Sequence, residues 1–293
     1  MMIVVDWGTT NLRAYRCSAD GAILERRSSP RGVKSLSRGD YPEVLQELLD
    51  SFAPESGQQV FISGMAGSRN GWVEVPYCSL PADLDALKAN LHPLPPPFNG
   101  YLIPGVRVVK DDGTSDVMRG EEIQVFGALH SLDLSSALLC LPGTHSKWVR
   151  AQDRQLCDFS TFMTGDLFQG LGQTILGCDS ETAFSSEAFA KGLDAVNLVA
   201  GGLLHQLFTG RTLMLDGKIT VEEVSSFVSG LLLGHELKQA LTMRDEKERV
   251  VLIGAEALCA RYRSALNRQG VEATILSSDL ATCAGVAALP QSS

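Results

Sequence analysis

The sequence predicts an α/β protein, and three observations carry that prediction. Short apolar runs rich in β-branched residues, such as Met2–Val5, have the length of a buried strand. Segments with a helical spacing of apolar residues follow several of these runs after a glycine turn. The plan of the opening residues also recurs in the second half of the chain. Alternation of strand and helix is typical of a layered α/β fold.

The opening predicts a strand, a polar turn and a hairpin. The stretch VVDWGTTNLRAY, residues 4–15, runs from an apolar strand into an acid, a glycine, two hydroxyls, an amide and an arginine. Asp6 therefore stands where the first strand reaches the surface. Residues 137–159 repeat this plan, with an apolar run, a Gly-Thr turn and two alternating segments around a polar reversal. Such a repeat predicts two similar lobes, residues 1–135 and 136–293, with their loops facing a shared cleft.

Between the two repeats, the pattern predicts two strands and a helix. QQVFISGMAG is typical of a strand that enters a glycine turn, and RVVKDD is typical of a strand that ends at Asp112. In DVMRGEEIQVFGALH the apolar residues have helical spacing, at Met118, Ile123, Phe126 and Leu129. We therefore expect a helix that begins near Asp116.

The second half predicts three further helices. Residues 221–241 place an apolar stripe along one helical face, at Val224, Phe227, Val228 and Leu231. Gly230 and Gly234 would let a neighbouring element approach that helix closely. RVVLIGAEALCARYRSAL and EATILSSDLATCAGVAAL then each have the pattern of a strand, a turn and a helix.

Composition excludes several classes of function. At 293 residues, with 44% hydrophobic and 20% charged residues, the chain can bury the cores of two domains, so disorder is not expected. A net charge of −9 without a basic patch excludes a nucleic-acid partner and an anionic membrane surface. No apolar stretch approaches the ~18 residues of a membrane span, and the N-terminus lacks the basic region of a signal peptide. The seven cysteines include no CxxC pair, which indicates reduced thiols. We therefore expect a cytoplasmic protein.

Two glycine-hydroxyl turns have the groups that a phosphate site needs. Phosphate binding uses unobstructed backbone N–H groups, hydroxyl or amide donors beside them, and a carboxylate for a magnesium ion. DWGTTN supplies such a set within six residues, at Asp6, Gly8, Thr9, Thr10 and Asn11. PGTHSK supplies a second set, at Gly143, Thr144 and Lys147. Either motif alone is more often an ordinary turn, but their recurrence at equivalent places favours a nucleotide bound between two lobes.

Five motifs resemble those of a known family. In chain order they are DWGTTNLRAY, GMAGSRNGWVEVPY, VMRGEE, PGTHSKWV and SGLLLG. DWGTTNLRAY resembles the first phosphate loop of the sugar kinase, Hsp70 and actin superfamily, and LPGTHSKW resembles the second. In this order, over nearly the whole chain, the five motifs resemble the 2-dehydro-3-deoxygalactonokinase family. The resemblance implies the actin-like ATPase fold, with two ribonuclease-H-like lobes and a nucleotide cleft between them.

The resemblance also implies an activity and a set of site residues. The activity is ATP-dependent phosphorylation of 2-dehydro-3-deoxy-D-galactonate to its 6-phosphate in galactonate catabolism, with ATP and Mg²⁺ as cofactors. The two turns become the two phosphate loops, and Asp6 becomes the metal ligand. LIGAEALCARY resembles the adenosine-binding turn, which places Gly254 and Ala255 beside the nucleoside. GMAGS and VMRGEE would build the substrate side, with Met65, Ala66, Gly67, Ser68, Arg119, Glu121 and Glu122.

Arg119 is the first candidate for the substrate carboxylate. A guanidinium pairs bidentately with a carboxylate, and this arginine is expected in the first turns of a helix, where backbone donors also favour an anion. From spacing alone, an ion pair with Glu122 at i,i+3 is an equal alternative. Glu121 and Glu122 would bind substrate hydroxyls or complement the helix dipole. Asp166, in MTGDLF, is a further candidate for the cleft.

Two aspartates are candidates for the catalytic base. Phosphoryl transfer needs alignment and a base that receives the hydroxyl proton. In superfamily relatives that base is commonly an aspartate at the end of a strand, ahead of a helix and before the second phosphate loop. Asp112 fits that place and is preferred, and Asp116 fits it as well. The alternatives are a turn acid for Asp112 and a helix N-cap for Asp116.

Two other functions stay open at this point. One is a kinase of another sugar or sugar acid, and the other is a nonkinase ATP-binding switch of the actin or Hsp70 type. Chaperone-like and filament-forming relatives usually carry an additional domain, for which this chain has no room. The expected partners are a small-molecule sugar acid and ATP. The sequence does not specify an oligomeric state, and a homodimer is one assembly that it allows.

Overall fold

The computed structural model describes residues 1–52, 58–174 and 183–289. In chain order its strands are β1 Met2–Trp7, β2 Leu12–Cys17, β3 Ile23–Ser29, β4 Gln59–Gly64, β5 Cys78–Ser79, β6 His92–Pro93, β7 Gly100–Leu102, β8 Val106–Val109, β9 Ser115–Met118, β10 Ala137–Leu141, β11 Ser146–Gln152, β12 Gln155–Phe162, β13 Val250–Ile253 and β14 Ala273–Leu276. Its helices are α1 Tyr41–Asp50, α2 Leu84–Ala89, α3 Glu121–Ser131, α4 Thr164–Thr174, α5 Ser186–Leu198, α6 Gly202–Leu215, α7 Val224–Ala240, α8 Glu256–Asn267 and α9 Ser278–Ala288. Over these residues, no helix combines the length and the apolar character that crossing a bilayer requires.

Two mixed sheets show the repeat that the sequence predicts. The first has the strand order β3-β2-β1-β4-β7-β6, and the second has the order β12-β11-β10-β13-β14. In the first sheet, β1 pairs antiparallel with β2 and parallel with β4. The first four strands of each sheet thus follow one scheme, in which a meander of three strands is extended by the next long strand. This scheme confirms the predicted strand, turn and hairpin of residues 137–159, and with the helices it confirms the α/β class.

The end of β1 is anchored by an aromatic core. Its residues Met2 to Val5 and Trp7 are buried, which is typical of a central strand covered on both faces. The Trp7 and Tyr41 ring centroids lie 4.9 Å apart, and Trp72 stacks on Tyr41 at 5.8 Å. The indole N–H of Trp7 also donates to the backbone carbonyl of Arg31 at 3.1 Å. These contacts hold the strand end that carries Asp6.

The chain divides into two compact units. The first comprises Met1–Leu139, Val149–Phe159 and the chain from Leu276 onward, and the second comprises Cys140–Trp148 and Ser160–Ile275. The helix α9 belongs to the first unit because it packs against α3 through glycines: a Cβ on Gly285 would lie 2.0 Å from the backbone oxygen of Ile123. The predicted lobes 1–135 and 136–293 are divided differently and stay a prediction.

Glycines also allow the close contact that the sequence predicts for α7. A Cβ on Gly230 would lie 2.0 Å from the backbone oxygen of Phe189, and one on Gly234 would lie 2.6 Å from Cγ2 of Val196. Both contacts are made with α5, so the prediction for these two glycines is confirmed. The reciprocal position Gly192 of α5 lies against the backbone oxygen of Phe227 in the same way.

The helix expected near Asp116 begins later than predicted. Residues Ser115–Met118 form β9, an antiparallel partner of β8, and α3 starts at Glu121. The hairpin overrides the helical spacing because backbone pairing with β8 satisfies these residues, and Gly120, at φ +109°, separates strand from helix. Met118 is therefore a strand residue, whereas Ile123, Phe126 and Leu129 lie on α3 as predicted.

Candidate active site

The first glycine-hydroxyl turn starts from a partly buried acid. Asp6 pairs in register with Arg13 of β2, whose Nη1 lies 3.9 Å from Oδ2 of Asp6. Burial raises the pKa of Asp6 to about 6, against the charge of Arg13, and the charges of Glu121 and Asp279 raise it further. A carboxylate whose negative charge is disfavoured in this way is suited to bind a cation.

The turn itself is compact and leaves its side chains open. The N–H of Gly8 donates to the carbonyl of Asn11 at 2.9 Å, and the three residues Thr9, Thr10 and Asn11 are exposed. Gly32 packs on the turn from outside, since a Cβ there would lie 2.2 Å from the carbonyl carbon of Thr10. The side chains of Thr9, Thr10 and Asn11, which are the donors predicted for phosphate, are thus exposed to solvent. The backbone of the turn is fixed by its hydrogen bond and by its contact with Gly32.

Two glycines bring the predicted substrate segments to Asp6. Gly64 ends β4 at φ +92°, and a Cβ there would lie 2.8 Å from the oxygen of Trp7 and 3.4 Å from Oδ1 of Asp6. Gly120 has φ +109°, and its Cβ would lie 3.1 Å from Cα of Gly64. Because only glycine tolerates both the positive φ and the contact, these positions let the three segments meet.

The segment after β4 carries unused polar groups. Met65–Gly67 form one turn of 3-10 helix, followed by Ser68. Ser63 is 1% exposed and Ser68 is 8% exposed, and neither hydroxyl has a hydrogen-bond partner among the described residues. Buried polar groups are nearly always satisfied in native proteins, so these two hydroxyls are available to a polar ligand.

Arg119 lies beside this segment with part of its guanidinium unused. Its side chain is 7% exposed, Nη2 donates to the carbonyl of Val75 at 2.6 Å, and Cζ lies 4.3 Å from the ring centroid of Tyr77. Nε and Nη1 have no hydrogen-bond partner among the described residues. A Cβ on Gly67 would come within 3.0 Å of Nη1. Arg119 thus joins the predicted residues 65–68, although it precedes α3 instead of lying in it.

The two glutamates that follow have different environments. Glu122 is fully buried, and its Oε1 and Oε2 accept from the N–H of Gly120 at 2.9 and 2.7 Å. Burial raises the pKa of Glu122 to about 8, and the charge of Glu121 adds to the rise. The carboxylate of Glu121 accepts from the backbone N–H of Arg119 at 3.0 Å and is partly exposed. The side chain of Glu122 therefore accepts from the backbone N–H that precedes α3. It does so in place of the i,i+3 ion pair with Arg119, which was one alternative.

Asp112 and Asp116 lie on the β8–β9 hairpin. Asp112 is exposed in the turn, because β8 already ends at Val109, and its Oδ1 accepts from the N–H and the hydroxyl of Thr114 at 2.9 and 2.6 Å. These hydrogen bonds hold the pKa of Asp112 below its usual range. Asp116 pairs with Val108 inside the hairpin and is not a helix N-cap. Asp112 is therefore a turn acid, as one alternative had it, the helix start predicted at Asp116 is wrong, and the catalytic roles of both acids stay predictions.

The second glycine-hydroxyl turn packs against the start of α4. The N–H of Asp166 donates to the carbonyl of Thr144 at 3.0 Å, and a Cβ on Gly165 would lie 2.5 Å from the oxygen of Gly143. Asp166, the further candidate for the cleft, lies on α4 beside the second turn, with its Oδ2 3.5 Å from Nε2 of His145, and its contact with substrate stays a prediction. Lys147 is 7% exposed on β11, and its Nζ donates to Oγ1 of Thr161 at 2.7 Å.

A cavity of about 600 Å³ opens beside this turn within the second unit. We call it the second-unit cavity; it is lined by the turn and by residues of α4, α5, α7 and α8, among them Thr164, Phe168, Phe189, Ser225, Ser229, Leu258, Arg261 and Tyr262. Gly254 and Ala255 lie between β13 and α8, and a Cβ on Gly254 would contact Sγ of Cys259 at 3.3 Å. In this region the cavity is lined by α8, at Leu258, Arg261 and Tyr262, and not by Gly254 or Ala255. The contact of Gly254 and Ala255 with the nucleoside stays a prediction.

Sequence reasoning missed most of this lining. Phe168 and Phe189 look like ordinary core residues in sequence, because an aromatic residue at helical spacing is most often core. Ser225 and Ser229 carry a usable signal: they are polar residues at i,i+4 on a mainly apolar helix, so they share one face. Ser63 and Tyr77 were missed on the substrate side for lack of any comparable signal.

Comparison with known proteins settles the family. A family model described as 2-keto-3-deoxy-galactonokinase matches residues 6–289. The chain belongs to the 2-keto-3-deoxy-galactonokinase family. The resemblance of its five motifs is thereby confirmed.

Relatives of this family cover almost the whole chain. A 2-dehydro-3-deoxygalactonokinase of Escherichia coli (strain K12) is 37% identical over 286 residues, which are 97% of this chain and 95% of the relative. A probable 2-dehydro-3-deoxygalactonokinase of Rhizobium meliloti (strain 1021) is 35% identical over 296 residues, 97% of this chain and 94% of the relative.

Solved structures confirm the fold class. A crystal structure from Sinorhizobium meliloti, provisionally assigned as a 2-dehydro-3-deoxygalactonokinase, has a TM-score of 0.91 at 33% identity and covers 99% of this chain and 98% of its own. Component A of the (R)-2-hydroxyglutaryl-CoA dehydratase of Acidaminococcus fermentans has a TM-score of 0.56 at 12% identity, over 98% of this chain and 96% of its own. That likeness shows the fold alone. The family member described here therefore has the actin-like ATPase and sugar-kinase fold.

Proposed function

We propose that this chain is a kinase that transfers the γ-phosphoryl group of ATP to the 6-hydroxyl of 2-dehydro-3-deoxy-D-galactonate. Membership of the 2-keto-3-deoxy-galactonokinase family and two relatives named as such kinases support the reaction. The observation that carries the substrate class is Arg119, which is buried and has two nitrogens, Nε and Nη1, without a hydrogen-bond partner in the part of the chain that the structure describes.

A carboxylate is the ligand that Arg119 is prepared to bind. Nη2 is held by Val75 and the guanidinium face by Tyr77, so the plane of the remaining donors is set before the substrate arrives. Nε and Nη1 can then each donate a charge-assisted hydrogen bond to an oxygen of an anionic ligand. A neutral sugar would supply no counter-charge to this buried cation. Gly67 borders the same place, since a Cβ there would come within 3.0 Å of Nη1.

We assign ATP phosphates and Mg²⁺ to the two turns. The donors of Thr9, Thr10 and Asn11 and those of Gly143 and Thr144 are suited to phosphate oxygens, and Gly8, whose N–H closes the first turn on Asn11, lets a phosphate approach its backbone closely. Mg²⁺ is usually bound by one or two carboxylates with water and phosphate oxygens, so a single partly buried Asp6 fits it. When bound, the ion neutralises charge on the transferred phosphoryl group. Lys147 lies behind the second turn, and its contact with phosphate stays a prediction.

We assign the nucleoside to the second-unit cavity. Its volume of about 600 Å³ lies within the ~300–1,000 Å³ of typical small-molecule sites. Phe168, Phe189 and Leu258 offer apolar surface for a base, and Ser225 and Ser229 offer hydroxyls for its polar edge. The position of the second turn at the mouth of this lining supports the assignment.

We propose Glu121 as the catalytic base in preference to Asp112 and Asp116. Glu121 is partly exposed, stands beside Arg119 and is close enough to Asp6 to raise its pKa. Asp112 is engaged by Thr114 in an exposed turn. Replacing a general base typically lowers kcat by about 10²–10⁴-fold. We expect Glu121→Gln to show such a loss and Asp112→Asn and Asp116→Asn to keep kcat; a comparable loss in Asp112→Asn would return the role to that acid.

The reaction is tested by ADP release from Mg·ATP in a coupled assay. The acceptors are 2-dehydro-3-deoxy-D-galactonate, its gluconate epimer, a neutral hexose and none. We expect a strong rate with the galactonate acid and a rate near background with the hexose. ATP hydrolysis that no acceptor changes would indicate an ATP-binding switch, and preference for the hexose would indicate a different sugar kinase.

The remaining expectations concern the setting of the enzyme. We propose that it works in the cytoplasm, without a nucleic-acid partner, and that a homodimer is a suitable assembly. Light scattering coupled to gel filtration tests the assembly directly, because the mass of a homodimer is twice that of a monomer.

A further inference from the structure

A buried carboxylate in the second unit connects the elements around the second turn. Glu236 lies on α7 and is 2% exposed. Its Oε1 accepts from Nε1 of Trp148 at 2.7 Å. Its Oε2 lies 3.0 Å from the hydroxyl of Tyr262 and 3.2 Å from Oγ of Ser146, and these two hydroxyls also hydrogen-bond each other at 2.8 Å. The hydroxyl of Thr164 also donates to this carboxylate. Four donors from outside α7 thus meet one side chain.

Two of these four residues line the second-unit cavity, and the other two lie at the start of the strand that follows the second turn. Ser146 and Trp148 open β11, directly after the turn that carries Gly143. Thr164 begins α4, whose next residue packs on that turn, and Tyr262 lies on α8. Thr164 and Tyr262 both line the cavity, whereas Glu236 itself does not. The carboxylate therefore acts on the cavity through the residues that it binds.

The chemistry of Glu236 is that of an organising group. Burial raises its pKa, while the hydrogen bonds from Thr164, Trp148, Tyr262 and Ser146 oppose the rise. Among the described residues it has no ion pair, so its hydrogen bonds alone compensate for its burial. A buried polar network of this kind contributes to a unique arrangement more than to net stability. A hydrophobic residue would fill the same space without orienting the four donors.

We propose that Glu236 is a positioning residue for nucleotide binding, which holds the second turn, the start of α4 and α8 in the arrangement that receives ATP. The proposal rests on the proposed function, because it takes the second-unit cavity as the nucleoside site. The proposal predicts that substitution of Glu236 weakens nucleotide binding more than it weakens binding of the sugar acid.

The test compares Glu236→Ala, Glu236→Gln and Tyr262→Phe with the unchanged protein. Loss of a buried hydrogen-bonded partner usually weakens a site by about tenfold or more. We expect Glu236→Ala to raise the Kd of MgADP, measured by calorimetry, and the KM of ATP by at least about tenfold. The KM of the sugar acid should stay within about twofold. Glu236→Gln, which keeps one accepting oxygen, should recover part of the affinity, and Tyr262→Phe should lose part of it. If Glu236→Ala does not fold, the other two variants carry the test.

A matched control separates positioning from stability. Gln206 on α6 is also 2% exposed in the second unit, binds the carbonyls of Val196 and Val199 and contacts His235, and does not line the cavity. Gln206→Ala should lower the melting temperature but leave the Kd of MgADP unchanged. Equal weakening in Gln206→Ala, or normal MgADP binding in both Glu236 variants, would overturn the proposal.

The outcomes also separate the two proposals. A protein that binds MgADP but phosphorylates no sugar acid would contradict the proposed function, while the Kd values of the variants would still decide the role of Glu236. A protein that binds no MgADP would overturn both.

Discussion

At the scale of single residues, Arg119 shows how the chain prepares a charged group for a ligand. The carbonyl of Val75 and the ring of Tyr77 fix the guanidinium, and Gly67 keeps the space beside Nη1 free. Fixing the donors in advance reduces the entropy that substrate binding would otherwise cost. The arrangement is specific to arginine, since a lysine ammonium has neither the plane for stacking nor the paired donors.

Arg119→Lys should therefore weaken the binding of the sugar acid and leave the binding of ATP unaffected. A charge-assisted hydrogen bond contributes about 1.5–3 kcal/mol, which corresponds to a rise of roughly 10–150-fold in the KM of the sugar acid. The KM of ATP should change little. Steady-state kinetics with each substrate varied in turn measures both constants. Arg107→Lys, on the exposed side of β8, is the matched control. Equal rises in the two KM values would show a structural role for Arg119.

Glu122 makes the stability of the first unit depend on pH. Its pKa is about 8 in the folded protein, against an ordinary value of 4.5, because the carboxyl group is buried. Between these two pH values the folded protein holds a proton that the unfolded chain has lost. The contribution of Glu122 to stability therefore falls as pH rises through this range, by up to about 1.4 kcal/mol per pH unit.

Glu122→Gln should remove that dependence. The amide is neutral at every pH, and its oxygen can still accept from the N–H of Gly120. We expect the variant to be more stable than the unchanged protein at pH 7.5, with the difference shrinking towards pH 5. Thermal unfolding at several pH values measures it. A difference that is independent of pH would show that Glu122 is ionised in the folded protein.

At the scale of elements, helix pairs meet through their backbones. A Cβ on Gly127 of α3 would lie 1.8 Å from the backbone oxygen of Ala281 of α9, and Gly285 of α9 meets α3 reciprocally. The pair α5 and α7 has the same reciprocal arrangement, at Gly192 and Gly230. Backbone contact of this kind cannot be relieved by a change of rotamer.

Gly127→Ala should therefore destabilise the protein, although alanine is the better helix former. Overpacking in a well-packed core costs about 1–3 kcal/mol, and contact with a backbone atom places this change at the upper end. Gly170→Ala on α4 is the control, because a Cβ there has open space, and helix propensity should stabilise it by about 0.5–1 kcal/mol. Thermal unfolding compares the two, and opposite signs are expected. If Gly127→Ala were stabilised, α3 and α9 could move apart to accommodate the methyl group without a loss in the free energy of unfolding.

At the scale of the whole molecule, ligand binding should be visible as stability. A ligand that binds only the folded state at about 100 times its Kd adds about 2.7 kcal/mol. For a chain of this size this corresponds to a rise in melting temperature of roughly 5–10 °C. We expect MgADP to produce such a shift and Mg²⁺ alone to produce much less. Scanning fluorimetry with each ligand measures it, and no shift with MgADP at saturating concentration would contradict the assignment of both turns.

The sequence by itself determined the features that depend on neighbouring residues. Strand periodicity, the two glycine-hydroxyl turns and their recurrence predicted the α/β class and the shared scheme of the two sheets, which the structure confirms. The five motifs indicated the family, which the comparisons confirm. Asp6 was predicted from the residue types of its turn and Arg119 with the help of the family resemblance, and the ligand roles of both stay predictions; Asp6 has a raised pKa, and Arg119 has two nitrogens without a hydrogen-bond partner among the described residues.

Only the tertiary structure decided which distant groups meet. The pairing of β8 with β9 placed Asp112 and Asp116 on a hairpin, against the local helical spacing. Two glycines with positive φ, Gly64 and Gly120, let the segment that carries Glu121 approach Asp6, and the fold of α4, α5, α7 and α8 assembled the second-unit cavity. Glu236 binds Trp148, 88 residues away in sequence. Such contacts follow from packing and burial, which act between residues far apart in the chain, so no local pattern records them.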